Sequence, residues 1–367
     1  MTVAAAFQPP TGVLLVNTGT PASTATGDVR RYLRQFLGDP RVIDLHPLAR
    51  WLLLELVILP FRPARSAAAY RKIWTERGSP LLVHGRDLAD GLRGALTAEA
   101  DAAYVVELAM QFGSPSIPAA LDRLQAAGAA QVVVVPLFPQ YAAASYGSAA
   151  AAVCAEAARR WVVPSLRFVA PFWQSPAWLD AVVAGARAEI AAFAPDHVLL
   201  SYHGVPERHC ARTDPSGAHC LRSAACCDAL VPANAHCYRA QCMATSRALV
   251  AALGLDPQRV TTAFQSRLGR TPWIKPYADR AIADLGKAGV QRLLVVEPSF
   301  VADCLETLEE IGIRGRADFR AAGGGELRLC PSLNASAVWV RGLATLVREA
   351  STQGPARANG VHQRSEG

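Results

Sequence analysis

HVLLSYHGVPERH, residues 197–209, begins as an apolar run, His197–Tyr202, and stops abruptly at His203-Gly204-Val205-Pro206. Its apolar residues are consecutive rather than alternating, the pattern of a strand covered on both faces. Gly204 and Pro206 force a turn, which leaves His203 at the strand end. Similar runs lie before it at Gly12–Asn17, Tyr104–Ala109, Gln131–Leu137 and Leu166–Ala170, and after it at Arg259–Gln265, Arg292–Glu297 and Glu326–Leu329. Helical patterns fall between most of them, as at Ile117–Ala126, Pro176–Phe193, Cys242–Leu253 and Asp279–Ala288. Strands alternating with helices build parallel βαβ units and doubly wound sheets. So many strands exceed what one compact sheet needs, so the sequence predicts two similar α/β domains, residues 1–172 and 173–336, meeting near Pro171-Phe172-Trp173. A last helix, 337–350, is expected to pack back on the first domain, and 351–367, poor in apolar residues, to form a disordered tail.

The chain has 367 residues, 51% hydrophobic and 18% charged, which excludes a disordered protein and a small disulfide scaffold. Its longest apolar stretch, Trp51–Phe61, is broken by Glu55 and Pro60 and falls short of the roughly 20 residues of a spanning helix. The start, MTVAAAFQPP, lacks the basic and apolar regions of a leader, so a cytoplasmic location is expected. The net charge of +7 is modest, and basic residues do not interleave with aromatics, which argues against nucleic acid as a partner. Nine cysteines, clustered and odd in number, point to metal ligation rather than disulfides in a reducing compartment. Cys220, Cys226, Cys227 and Cys237 fall in the short polar insert 210–242, a set sufficient for a [2Fe–2S] cluster or a tetrahedral zinc site. Cys210 and Cys242 are alternates, and Cys154 and Cys330 read as small core hydrophobes.

Ligands of open α/β sheets sit beyond the carboxyl ends of the strands. At the end of the 197–202 run, a neutral His203 is a usable proton acceptor near neutral pH, or simply a strand cap. Beyond Leu293–Glu297 comes a helix in which Asp303, Glu306 and Glu310 share one α-helical stripe. A row of carboxylates attracts hard cations; the alternative is a solvated face.

Seven runs resemble, in order, the ferrochelatase family: LLVNTGTP (14–21), YLRQFLGDPRVID (32–44), GSPLLVHG (78–85), VVVVPLFPQYAAASYGS (132–148), SYHGVPERH (201–209), TTAFQSRLGRTPWIKPY (261–277) and SFVADCLETLEEI (299–311). The resemblance implies a lyase that inserts Fe2+ into protoporphyrin IX to form protohaem. It also implies the chelatase fold, two Rossmann-like domains with the porphyrin in the cleft between them. By the same resemblance His203 takes pyrrole protons or holds the metal, Glu306 lies across the porphyrin plane, and Asp303 and Glu310 lead outward as a metal or proton path. Thr18, Tyr141, Ser145 and Trp273 fall in matching motifs as porphyrin contacts, with a core aromatic as the alternative for Trp273. Coproporphyrin-using members place a Tyr where this chain has Thr18, which favours protoporphyrin IX. The chain departs from many members at Cys304, often a histidine, and at Gln111, often part of an Arg-Tyr pair. Some members bind [2Fe–2S] through an internal segment, which favours a cluster over zinc at Cys220, Cys226, Cys227 and Cys237. Trp51–Phe61, with Arg62, Arg65, Tyr70, Arg71, Lys72 and Arg77 behind it, matches the family's apolar lip over the porphyrin, which in some members touches the bilayer; a core helix beside a solvated loop is the alternative. The remaining alternatives are a chelatase for coproporphyrin or another tetrapyrrole, and a non-catalytic haem or iron–sulfur sensor.

Overall fold

The computed structural model describes residues 9–98, 103–269 and 271–352. The stretch read above for a leader lies, but for residues 9 and 10, outside the described residues, as does the expected tail 351–367 but for Ser351 and Thr352, which are the end of the last helix rather than disordered. In chain order the first half comprises β1 (Thr11–Gly19), α1 (Thr26–Gly38), α2 (Pro47–Leu52), α3 (Leu59–Ile73), α4 (Pro80–Thr97), β2 (Tyr104–Phe112), α5 (Ile117–Ala126), β3 (Gln131–Pro136), α6 (Ser148–Ala158) and β4 (Ser165–Phe168). There follow α7 (Pro176–Phe193), β5 (His197–His203), α8 (Glu207–Arg212), α9 (Tyr238–Leu253), β6 (Val260–Gln265), α10 (Ala278–Lys287), β7 (Arg292–Val296), α11 (Arg316–Ala321), β8 (Glu326–Leu329) and α12 (Ala337–Thr352). Each apolar run of the sequence is a strand, to within a few residues.

The strands form two four-stranded sheets, β2-β1-β3-β4 and β6-β5-β7-β8, parallel throughout. The two halves therefore repeat one strand order. In each the earliest strand is central: β1 pairs with both β2 and β3, and β5 with both β6 and β7. Val13–Val16 and Val198–Leu200 are almost wholly buried, as strands covered on both faces must be.

Trp178 of α7 and Trp339 of α12 are fully buried, and Phe172 packs against both rings. The last helix contacts α7, α4, β3 and β4, and Arg167 of β4 donates to the carbonyls of Ala350 and Ser351 near its end. Its crossing with α7 is close because Gly342 has no side chain: a Cβ there would lie 2.3 Å from the Ala177 carbonyl oxygen. Since the obstacle is backbone, Gly342→Ala should separate the helices and cost about 1–3 kcal/mol despite the better helix propensity of alanine. Thermal unfolding of the variant would show this as a lowered Tm, and an unchanged Tm would mean that the two helices slide apart freely.

Candidate active site

A cavity of about 950 Å³ opens between the sheets, walled by chain segments that follow β1, β3, β5 and β7. These are the central pairs of each sheet, where successive connections leave in opposite directions and a crevice forms. Asn17–Thr20, Leu137–Gln140, His203–Pro206 and Ser299–Ala302 thus meet around one space. Much of the rest of the wall comes from α1, α3 and the segments that follow β6 and β7, including Ser266–Leu268 and Trp273.

The main-chain N–H of His203 donates to Ser299 Oγ (3.1 Å), and Nδ1 lies 2.6 Å from the Gly204 carbonyl. A carbonyl only accepts, so Nδ1 carries a proton, and in the neutral ring Nε2 then keeps its lone pair. Gly204 is required here, since a Cβ would come within 2.8 Å of the Gln265 carbonyl on the neighbouring strand.

The segment Glu306–Gly315 is a π-helix, not an α-helix. Its i→i+5 bonding brings residues roughly four to five apart into line, rather than three to four. Glu306 and Glu310 share the cavity wall, whereas Asp303 does not reach it. The Asp303 carboxylate instead accepts from Asn334 Nδ2 (2.8 Å), Thr307 Oγ1 (3.1 Å) and the Ser332 N–H (3.3 Å), anchoring the helix start. The α-helical stripe of three acids is thereby corrected to two cavity acids and one internal brace. Glu310 is held by the N–H (2.9 Å) and hydroxyl (2.5 Å) of Ser266, and Gln265 Nε2 donates to the Glu306 carbonyl (3.0 Å). Glu309, which the sequence did not single out, pairs with Lys72 of α3 (2.9 Å) and Arg314 (2.8 Å). Burial alone would raise its pKa, but the two cations prevail and hold it below the usual range.

Thr18, Ser145 and Trp273 line the cavity as expected from their motifs. The Trp273 indole N–H donates to the Leu268 carbonyl (2.9 Å). Tyr141 does not line it: its N–H donates to Gln241 Oε1 (2.7 Å), and its ring packs on Tyr146 and His236. Gln111 also lies elsewhere, donating to Ser148 Oγ (2.6 Å). Tyr32 also lines the wall without having been singled out, and Arg62 and Tyr70, read from the sequence only as the flank of the apolar lip, face the cavity itself. Arg62 Nη1 is buried without a hydrogen-bond partner; burial lowers its pKa against the pull of Glu306. Tyr32 and Tyr70 are pushed up, first by burial. Cys304 is buried beside Glu306, and burial pushes its thiol well up.

Above this wall, the predicted apolar helix is three segments, α2, a π-helical turn Leu53–Ile58 and the start of α3. Leu54 and Leu59 point inward, while Leu48, Trp51, Leu56, Val57 and Phe61 are exposed.

Cys220, Cys226, Cys227 and Cys237 are all buried in the insert. The Sγ atoms of Cys226 and Cys227 are 3.7 Å apart, and Cys237 contacts both Cys227 and Cys210. Asp214 shapes the loop by accepting from the N–H groups of Ser216, His219 and Cys220, and buried Asn234 donates to the carbonyls of Cys226 and Ala229. Burial pushes the Cys220 thiol up to about 12, and the contact with Cys210 helps raise Cys237 to about 11. Among the described residues no three His, Cys, Asp or Glu side chains stand at metal-binding spacing. The thiols converge without reaching that geometry.

Paired parallel sheets of one strand order, closing a cavity between their carboxyl ends, define the chelatase fold. The solved structure of SirB from Bacillus subtilis with Fe3+ shares it, at TM-score 0.51 and 11% identity over 94% of this chain and 96% of that one. The ferrochelatase family model matches residues 10–351. Ferrochelatases of Coxiella burnetii (44% identical, 92% of this chain and 93% of the relative) and Pseudomonas fluorescens (46%, 92% and 97%) are similar along nearly their whole length. The chain belongs to the ferrochelatase family.

Asp44, just before α2, ties this site to α8: Arg208 grips both its oxygens and Arg212 Nη1 lies 2.7 Å away. Arg208 lowers the Asp44 pKa from the usual 3.8 to about 2. A depressed carboxyl pKa adds stability above 3.8 that is lost as pH falls through about 2. Asp44→Asn should therefore be less stable than the native chain at pH 6, with the gap closing toward pH 2. Denaturant titrations at several pH values would show it, and a gap independent of pH would refute the linkage.

Proposed function

We propose that this chain inserts Fe2+ into protoporphyrin IX to form protohaem, the last step of haem biosynthesis. The observation that carries this is the shared wall of one cavity, where an imidazole with a free Nε2 and the carboxylates Glu306 and Glu310 meet. A metal can occupy the macrocycle only after two pyrrole N–H protons leave. His203 Nε2 is the proton acceptor, worth about 10²–10⁴ in rate for a well-placed base. Glu306 and Glu310 draw the hard Fe2+ and replace its water, and oxygen ligands release it again. Asp303 contributes by fixing the start of their helix. Arg62 brings an unpaired guanidinium N–H suited to a porphyrin carboxylate. Thr18 in place of a tyrosine supports protoporphyrin IX over coproporphyrin, and rates on the two porphyrins side by side decide between them.

Cys220, Cys226, Cys227 and Cys237 would hold a [2Fe–2S] cluster, with Cys210 as the alternate that already touches Cys237. Such a cluster supplies a one-electron centre; the four thiols, once deprotonated, suit it chemically. The division at residue 172, with the insert 210–242 in the second domain, belongs to the same reading. The nine free thiols fit a reducing cytoplasm. No helix among the described residues is long and apolar enough to cross a membrane. The exposed face of Leu48, Trp51, Leu56, Val57 and Phe61 suits peripheral contact with lipid.

His203→Ala should reduce anaerobic Fe2+ insertion by about 10²–10⁴-fold while porphyrin still binds, both followed by porphyrin fluorescence. Unimpaired turnover would remove His203 from the chemistry, and tight binding without turnover in the native chain would favour a sensor. For the insert, a brown visible spectrum with iron and acid-labile sulfide is expected, lost in Cys227→Ser; zinc without sulfide would replace the cluster by a zinc site.

A further inference from the structure

Glu297 follows β7, directly before the turn that leads into the acidic π-helix. It is 5% exposed, and neither carboxyl oxygen has a hydrogen-bond partner. An ionised carboxylate in that position would carry the full cost of desolvation with nothing to offset it, so the group is a neutral acid at rest. Burial pushes its pKa well up; Asp303, Glu310 and Glu306 add to the push and the Gln265 amide opposes it. The thiols of Cys304 and Cys330 also face it. Of the cations of this wall, Lys72 and Arg314 are engaged with Glu309, and Arg62 faces Glu306. Glu297 is thus a buried, unpartnered acid behind the carboxylates of the cavity wall, and metal insertion by His203, Glu306 and Glu310 gives it no task.

We propose that Glu297 exchanges its proton against the incoming divalent cation: it ionises as the cation enters beside Glu306 and Glu310, and is reprotonated when the cation leaves for the macrocycle. This deepens the metal-insertion reading and rests on it. The balance closes without any redox change. On entry of Fe2+ the Glu297 O–H bond breaks and one proton passes to solvent. On insertion two pyrrole N–H bonds break and the metal takes the four nitrogens; one proton reprotonates Glu297, and the second leaves by way of His203. Two protons are released per turn, one at each stage. The local charge behind the wall then changes by only one unit when a double charge arrives or departs, which keeps the cation from being held too tightly to let go.

The test uses the full chain and Mn2+ without porphyrin, because Mn2+ prefers oxygen ligands and leaves the thiols of the insert alone. Infrared difference spectra of the native protein should lose a protonated-carboxyl C=O band on adding Mn2+, and Glu297→Gln should show no such loss. In weakly buffered solution the variant should release about one fewer proton per bound ion. A raised carboxyl pKa removes stability as pH climbs above the usual 4.5, so the amide variant should unfold at no lower temperature at pH 8. A native band that Mn2+ leaves unchanged, or equal proton release by the two proteins, overturns the proposal. Parallel porphyrin metallation by the native protein separates the two ideas: insertion without band loss rejects Glu297 alone, whereas band loss without insertion rejects the enzymatic reading and leaves a cation-linked acid.

Discussion

Because β1, β3, β5 and β7 are covered on both faces, the only polar and reachable parts of their chain lie at the ends, and parallel pairing gathers all the carboxyl ends of a sheet on one side. The strand-end part of the cavity wall follows from that constraint. Thr18 stands at the end of β1 and Thr20 follows it, Pro139 and Gln140 follow β3, His203 closes β5, and Ser299 to Glu310 follow β7. The helices then hold these ends in place. The crossing of α7 and α12 over Gly342 joins segments far apart in the chain, and the grip of Arg208 on Asp44 joins α8 to the segment before α2.

The charge in the cavity is divided by how each group is held. Glu309 is neutralised by two cations, Glu310 is steadied by Ser266, and Asp303 is spent on bracing the π-helix. Glu306, with Glu310 beside it on the wall, and the unpaired nitrogen of Arg62 remain for a ligand. A buried guanidinium nitrogen without a partner carries a real desolvation cost, and a site keeps such a cost where binding relieves it.

The fold was legible because continuous Val and Leu runs separated by helical spacing leave little choice but parallel strands, and His203 was legible because Gly204 and Pro206 mark the strand end. The acid row was legible only in part. An α-helical wheel put Asp303 beside Glu306 and Glu310, but the π-helix changes the angular step, and nothing in the spacing of ETLEEIGIRG announces that change. Tyr141 sits in a strong motif yet turns to α9, because Gln241 is within reach of its N–H. Arg62 and Glu309 read as ordinary surface charges in one dimension, since Arg62 Nη1 has no partner and Lys72, which brings Glu309 against α3, is more than two hundred residues away. Glu297 looked like the last residue of a strand; only its two unpartnered oxygens distinguish it.

The placement of α12 bears on how the chain is made. Leu88 and Leu92 of α4 and Val133 and Val135 of β3 share a buried cluster with Leu343 and Val347 of α12. The first sheet is synthesised early, and α4 covers β1 and β2 on one face, yet the part of that face over β3 and β4 stays without α12 until residues 337–352 emerge. During translation that half must wait, partly folded and sticky, for nearly the whole remaining message to be read. A truncation that removes only the last helix should therefore be felt first in the half of the molecule made first, as aggregation of newly made chains rather than as loss of a contact in finished ones.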